Sequence, residues 1–238
     1  MTRRRWIADE VSGDLAYLRG QNAAHLAQVL RAEVGQELEV STGVALRLGR
    51  ISKIGKDRVE LLLGEVLPSP AIPDLTLLLA IFRFDRLEWA IEKATELGAA
   101  EIVPVIARRT DVHLAQAARK RVERWRRIAH EASQQSRRVS SPVVTDPLKL
   151  KDALATPATV RIVLTEGVAQ TLKAVLAASP QKESLALAVG PEGGWTSDEI
   201  ALYQNSGWIP AGLGPGILRS ETAAMVALAV VSSELARA

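Results

Sequence analysis

The chain has 238 residues, 47% hydrophobic and 24% charged, an ordinary globular balance that suits one large domain or two modest ones. It has no cysteine, which excludes disulfides, cysteine-based metal sites and thiol nucleophiles, and three scattered histidines (His25, His113, His130) argue against a metal centre. The net charge is only +3, no apolar run reaches the ~20 residues of a membrane span, and no signal-peptide core follows the basic start, so a cytoplasmic protein is the expectation.

Residues 1–70 read as a small β-rich domain. Asn22 is placed to cap a short helix over residues 23–32, with Gly35 just past its end. Strand-like runs follow at Glu37–Ser41, 44–54 and 58–66, with Gly43 and Gly55 at the turns, and predict a compact antiparallel barrel or sheet. Pro68, Pro70 and Pro73 then crowd a short connection and mark a domain boundary.

The rhythm changes in the second domain, residues 74–238. Residues 75–82 are continuously apolar, as in a strand buried on both faces. A helix over 86–97 ends at Gly98, and residues 102–107 form another buried strand. A long helix is expected over 115–136. Its arginines and lysine (Arg119, Lys120, Arg121, Arg124, Arg126, Arg127, Arg137, Arg138) are opposed locally only by Glu123 and Glu131. Such a stripe either follows a phosphate backbone or is a solvated helix face. Buried strands at 160–165 and 185–189 flank a helix near Leu172–Ala178. Thr196 and Glu199 have capping-box spacing for a helix that stops near Gly207. A last strand at 208–213 and an alanine-rich helix over 221–236 complete the chain. Alternating strands and helices predict an α/β domain with a parallel sheet.

Three segments reach the edge where such sheets bind ligands, beyond the carboxyl ends of strands: Leu164-Thr165-Glu166-Gly167, Gly190-Pro191-Glu192-Gly193-Gly194, and Leu213-Gly214-Pro215-Gly216-Ile217-Leu218-Arg219-Ser220-Glu221-Thr222-Ala223. Glycine lets backbone approach a ligand and proline stiffens the turn, so the three loops predict one cleft for a small molecule. Neither of the two longer loops matches a P-loop, a Rossmann fingerprint or a nucleophile elbow. Trp195 is positioned either to stack on a base or to anchor the helix that follows it. Ala223, Ala224, Ala227 and Val231 give the last helix a small-residue face, for packing across a dimer or within the same domain.

At these residues the chain resembles the SPOUT class of RNA methyltransferases, and within it the ribosomal RNA small subunit methyltransferase E family. The likeness lies in G-P-E-G-G followed by a capped helix, in L-G-P-x-I-L-R-S-E-T-A, in Glu92-Lys93-Ala94-Thr95-Glu96-Leu97-Gly98, and in the stretch from Arg124-Trp125 to Gln135-Ser136-Arg137. A looser match starts at His25-Leu26. The resemblance implies an N-terminal PUA-like RNA-binding barrel and a C-terminal parallel sheet with a deep trefoil knot. It implies S-adenosylmethionine as methyl donor, a chemistry that needs no metal, and a homodimer acting at N3 of a uridine in 16S ribosomal RNA, free or in the assembled small subunit.

On that basis the donor would be held by Leu164, Thr165, Glu166, Gly167, Gly190, Pro191, Glu192, Gly194, Leu213, Gly214, Gly216, Ile217, Leu218, Ser220, Thr222 and Ala223. RNA contacts fall to Arg3, Arg4, Arg5, Arg31, Arg124, Arg127, Arg137 and Arg138. N3 must lose its proton, for which Glu192 and Glu221 are candidate acceptors, while Arg219 is the candidate cation for the developing base anion. The competing roles are a helix-start acid for Glu221 and a loop brace for Glu192. One departure is Gly216, where the family usually has arginine. A related knotted enzyme acting on transfer RNA or another ribosomal nucleotide, and a catalytically silent RNA-binding protein, are the alternatives.

Overall fold

The computed structural model describes residues 5–69, 74–179 and 183–235, and the chain divides into two compact units. The first comprises residues 1–71 with 133–141, the second residues 72–132 with 142–238. Among the described residues no helix is long and apolar enough to cross a membrane.

The first unit is built on a six-stranded sheet. Its strands are β1 (Trp6–Ile7), β2 (Glu10–Ser12), β3 (Leu15–Arg19), β4 (Glu37–Ser41), β5 (Leu46–Ile54) and β6 (Arg58–Leu67), in the order β1-β4-β5-β6-β3-β2. Four of the five pairings are antiparallel, but β1 runs parallel to β4, so the wholly antiparallel expectation is corrected. Alternation puts Val59, Leu61 and Leu63 of β6 inward, against Leu18, Val40 and Ile51. The helix expected to start at an Asn22 cap starts earlier. It spans α1 (Gly20–Ala24), begins at Arg19 without a side-chain cap, and runs on as a π-helical turn over His25–Val29. Gly20, at φ +51°, lets β3 turn straight into the helix, which leaves Asn22 inside it.

The second unit is a three-layer α/β sandwich. Its strands are β7 (Asp74–Ala80), β8 (Glu101–Ile106), β9 (Val143–Val144), β10 (Leu148–Lys149), β11 (Val160–Leu164), β12 (Ser184–Val189) and β13 (Ile209–Ala211). All pairings are parallel, in the order β10-β8-β7-β12-β11-β13, with β9 also on β8. The helices are α2 (Phe84–Glu96), α3 (Val112–Ala118), α4 (Val122–Gln135), α5 (Leu150–Ala153), α6 (Leu172–Ala178), α7 (Ser197–Asn205) and α8 (Ser220–Leu235).

Strand alternation feeds two cores. Leu75, Leu77 and Leu79 of β7, with Leu185 and Leu187 of β12, pack under α2, α4, α6 and α8. Leu78, Ala80, Ala186 and Ala188 point the other way, toward α5 and α7. This is why the central strands read as unbroken apolar runs.

The long basic helix needs correcting at its start. Asp111 accepts hydrogen bonds from the backbone N–H groups of His113 and Leu114, so helical structure begins at Val112. A 3-10 turn at Arg119–Arg121 tightens the run before α4, while its flanking residues keep right-handed helical dihedrals. The capping box of Thr196 and Glu199 is present as expected. Leu187 is fully buried in the sheet centre, so Leu187→Ala should lower unfolding stability by about 2–5 kcal/mol in urea titrations.

Candidate active site

Because every strand of the second sheet is parallel, all their carboxyl ends share one edge. The loops after β11, β12 and β13 converge there on a cavity of about 910 Å³. Leu164, Thr165, Glu166 and Gly167 line it from the first loop, and Gly190, Pro191, Glu192 and Gly194 from the second. Leu213, Gly214, Gly216, Ile217, Leu218, Ser220 and Ala223 line it from the third. Thr222, Arg219 and Glu221 are not in the lining. The first and third loops are stitched by backbone bonds: Thr165 N–H to the Ala211 carbonyl (3.0 Å), Gly212 N–H to Gln170 (2.9 Å) and Leu172 N–H to Gly212 (2.9 Å).

The glycines serve two purposes. Gly194 (φ +67°) and Gly214 (φ +121°) hold left-handed turns that side chains disfavour. Gly190 and Gly193 instead make room for the protein's own side chains. A Cβ on Gly190 would sit 3.2 Å from Trp195 Nε1, and one on Gly193 would sit 3.2 Å from Arg109 Cδ. Gly216 has open space around it.

Trp195 lines the cavity but acts as an anchor. It is buried, meets Tyr203 edge-on at 5.0 Å, and Tyr203 meets Trp208 at 5.1 Å. Burial pushes the Tyr203 phenol well above its usual range, helped by the Glu199 charge. The Glu199 carboxylate in turn accepts from the backbone N–H groups of Arg108 (2.7 Å) and Thr196 (2.8 Å), tying the start of α7 to the end of β8.

Residues 190–194 are gripped from two further strand ends. Arg109, after β8, lines the cavity and donates to the Gly193 carbonyl. Arg86, after β7, reaches Glu192 (3.5 Å) and Glu221 (3.6 Å) with the same Nη1. Both candidate proton acceptors thus already have a guanidinium partner. The sequence reading missed Arg86 and Arg109, together with Val168, Ala169, Thr171, Val189 and Ala211 of the lining. Applying the strand-end rule to β7 and β8 as well would have brought the two arginines forward.

The candidate RNA-binding arginines are largely engaged. Arg3 and Arg4 lie outside the described residues. Arg5 is buried, donates to the Arg137 carbonyl and contacts Glu39 at 3.4 Å, while Arg137 pairs with Glu39 at 3.0 Å. Partial burial pushes the Glu39 carboxyl up, but Arg137 and Arg5 together hold it below the usual range. Arg138 donates to the Ser140 carbonyl at 3.1 Å, and burial lowers its pKa. Arg31 and Arg137 both have positive φ (+50° and +61°). In the helical stripe, Arg124 bonds Glu88 at 2.8 Å and Arg126 pairs with Glu123 and with Asp146 (3.4 Å). Arg127 is exposed. Besides Glu123, the opposing acids Glu88 and Asp146 come from outside the helix, where local sequence does not show them.

Similarities to known proteins match this architecture. Residues 69–232 fit the family model described as RNA methyltransferase domain, and residues 18–63 the one described as RNA methyltransferase PUA domain. The second unit is thus an RNA methyltransferase domain, joined to a PUA domain. Proteins named ribosomal RNA small subunit methyltransferase E are 35% identical in Mycobacterium tuberculosis, covering 92% of this chain and 87% of that one. In Bacillus subtilis the identity is 30%, with 90% and 88% covered. The Neisseria gonorrhoeae protein of that name, solved bound to S-adenosyl methionine, superposes with a TM-score of 0.85 at 27% identity, covering 97% of both chains. A Legionella pneumophila protein solved with bound cofactor SAM gives 0.82 at 29% identity, covering 98% of this chain and 97% of that one. The chain belongs to the ribosomal RNA small subunit methyltransferase E family.

Two predictions follow from this geometry. Gly190→Ala pushes on the buried indole and should cost about 1–3 kcal/mol of stability with a change in tryptophan emission, whereas Gly216→Ala should change stability by less than about 1 kcal/mol. The depressed Glu39 stabilises the fold above the ordinary glutamate pKa of about 4.3, and that contribution is lost as pH falls through its lower folded value. Glu39→Gln should therefore melt below wild type at pH 7, and the difference should shrink as pH falls below the ordinary glutamate range in calorimetric scans.

Proposed function

We propose that the cleft binds S-adenosylmethionine and that the enzyme methylates N3 of a uridine in 16S ribosomal RNA. Family membership makes it a methyltransferase of ribosomal RNA. The observation that carries the reading is the convergence of all three predicted loops on one cavity at the carboxyl edge of the sheet.

The cavity suits this donor. Its volume falls in the range of small-molecule sites. Backbone of residues 190–194 and 213–218 offers N–H and C=O groups to a purine and ribose. Leu164, Leu213 and Leu218 supply apolar walls, and Glu166 and Glu192 place negative charge at a site meant for a sulfonium cation. When bound, the donor supplies an activated methyl group, so the protein must position the acceptor and manage one proton.

Arg219 is suited to the second task. It is exposed and directly precedes α8, where a cation opposes the helix dipole. The same place suits an anion, because the α8 amino terminus and the guanidinium both attract negative charge. A uracil ring losing its N3 proton is such an anion. Glu192 lines the cavity and is the preferred acceptor for that proton, and Glu221, largely buried beside Arg86, braces the site.

We further infer the trefoil knot and the homodimer that the family resemblance implies. The return of α8 from the edge strand β13 to pack on α2 and β12 is consistent with a threaded chain. Ala224, Ala227 and Val231 are fully buried within one chain, so that small-residue face serves the domain's own packing and a dimer would use other surface.

Arg219→Ala should cut methyl transfer about 10²–10³-fold while leaving donor affinity within about threefold, measured by single-turnover assay and calorimetry. Equal loss of both would reject the assignment. Primer extension on ribosomal RNA tests the target, because an N3 methyl blocks pairing: wild-type cells should show a stop that cells lacking the gene do not.

A further inference from the structure

We propose that Arg86 is a positioning residue of the cleft, a single guanidinium that holds the loop after β12 and the start of α8 in fixed register; the proposal rests on the donor-binding reading above. Arg86 lies in the first turn of α2, where acids are favoured and a cation works against the helix dipole. Its compensation is two carboxylates. Nη1 stands 3.5 Å from Glu192 Oε1 and 3.6 Å from Glu221 Oε1.

The three side chains come from three segments distant in sequence, and they meet at Arg86 Nη1. Glu192 lines the cavity and Glu221 sits between the lining residues Ser220 and Ala223, while Arg86 does not line it. Arg86 therefore acts through the two glutamates.

Burial makes the arrangement consequential. The Glu221 side chain is 12% exposed and its Oε2 is buried without a hydrogen-bond partner, while Arg86 is 30% exposed. Screening by water is weaker here than at an open surface pair. Removing Arg86 would leave two carboxylates close together, one of them largely buried, with no cation between them. Their repulsion would push residues 190–194 away from α8 and widen the site. Arg109 donates to the Gly193 carbonyl and, among the described residues, forms no ion pair with Glu192 or Glu221 that would replace the lost charge.

The test compares wild type, R86Q, R86K, E192Q/E221Q and the triple variant R86Q/E192Q/E221Q. S-adenosylmethionine and S-adenosylhomocysteine affinities are read by calorimetry, with melting temperature recorded alongside. R86Q should weaken both ligands about tenfold or more, and R86K should stay within about threefold of wild type. In the background lacking both carboxylates, R86Q should have at most about a threefold effect, because no repulsion remains to be relieved. A purely structural arginine would lower melting temperature without this background dependence. If R86Q does not fold, the triple variant compared with E192Q/E221Q, together with R86K, still decides.

Unchanged affinity in R86Q, or an equal loss in both backgrounds, would overturn the proposal while leaving the donor site intact. Wild-type protein that binds neither ligand would overturn the donor reading, and the role of Arg86 with it.

Discussion

The parallel pairing of β12 with β7 governs the site. It runs in unbroken register from Ser184 opposite Asp74 to Val189 opposite Leu79, and both strands are buried on both faces. Because β12 also pairs with β11, it sits at the sheet centre although it comes late in the chain. The register delivers Gly190 to the edge beside the end of β7, after which Arg86 follows in the first turn of α2, and beside the loop that begins at Leu164. Shifting it by one residue would exchange Leu185 and Leu187 with Ala186 and Ala188 between the two cores. The apolar pattern therefore fixes where the cavity loops meet.

The loops themselves are held less by glycine flexibility than by cross-links to rigid elements. Trp195 fills the space above Gly190, Arg109 fills the space above Gly193, and Glu199 joins the β8 loop to α7. Cross-links of this kind restrict the loop backbone, which lowers the ordering cost that any ligand held there would meet. That property suits methyl transfer, which depends on alignment more than on reactive side chains.

Much of this was legible in sequence. The central strands β7, β8, β11 and β12 announced themselves as continuous apolar runs, and Thr196 with Glu199 announced α7. The three glycine loops were expected to share one cleft, and they line one cavity. Short elements were not legible. β1, β9 and β10 have two residues each and exist because a neighbour supplies pairing, as when Val143 N–H bonds the Ala100 carbonyl. The parallel placement of β1 on β4 likewise depends on tertiary contact. Arg86, Arg109, Glu88 and Asp146 were hidden for a related reason: each gains its role from a partner 20 or more residues away.

The central claim is that the glycine loops of one parallel-sheet edge form a pocket for a sulfonium cofactor. A crystal structure of this protein grown with S-adenosylhomocysteine tests it most directly. The account predicts ligand density between residues 164–167, 190–194 and 213–218, with Trp195 and Arg109 unmoved. Density bound elsewhere on the chain, or a cleft still empty at saturating ligand, would contradict it.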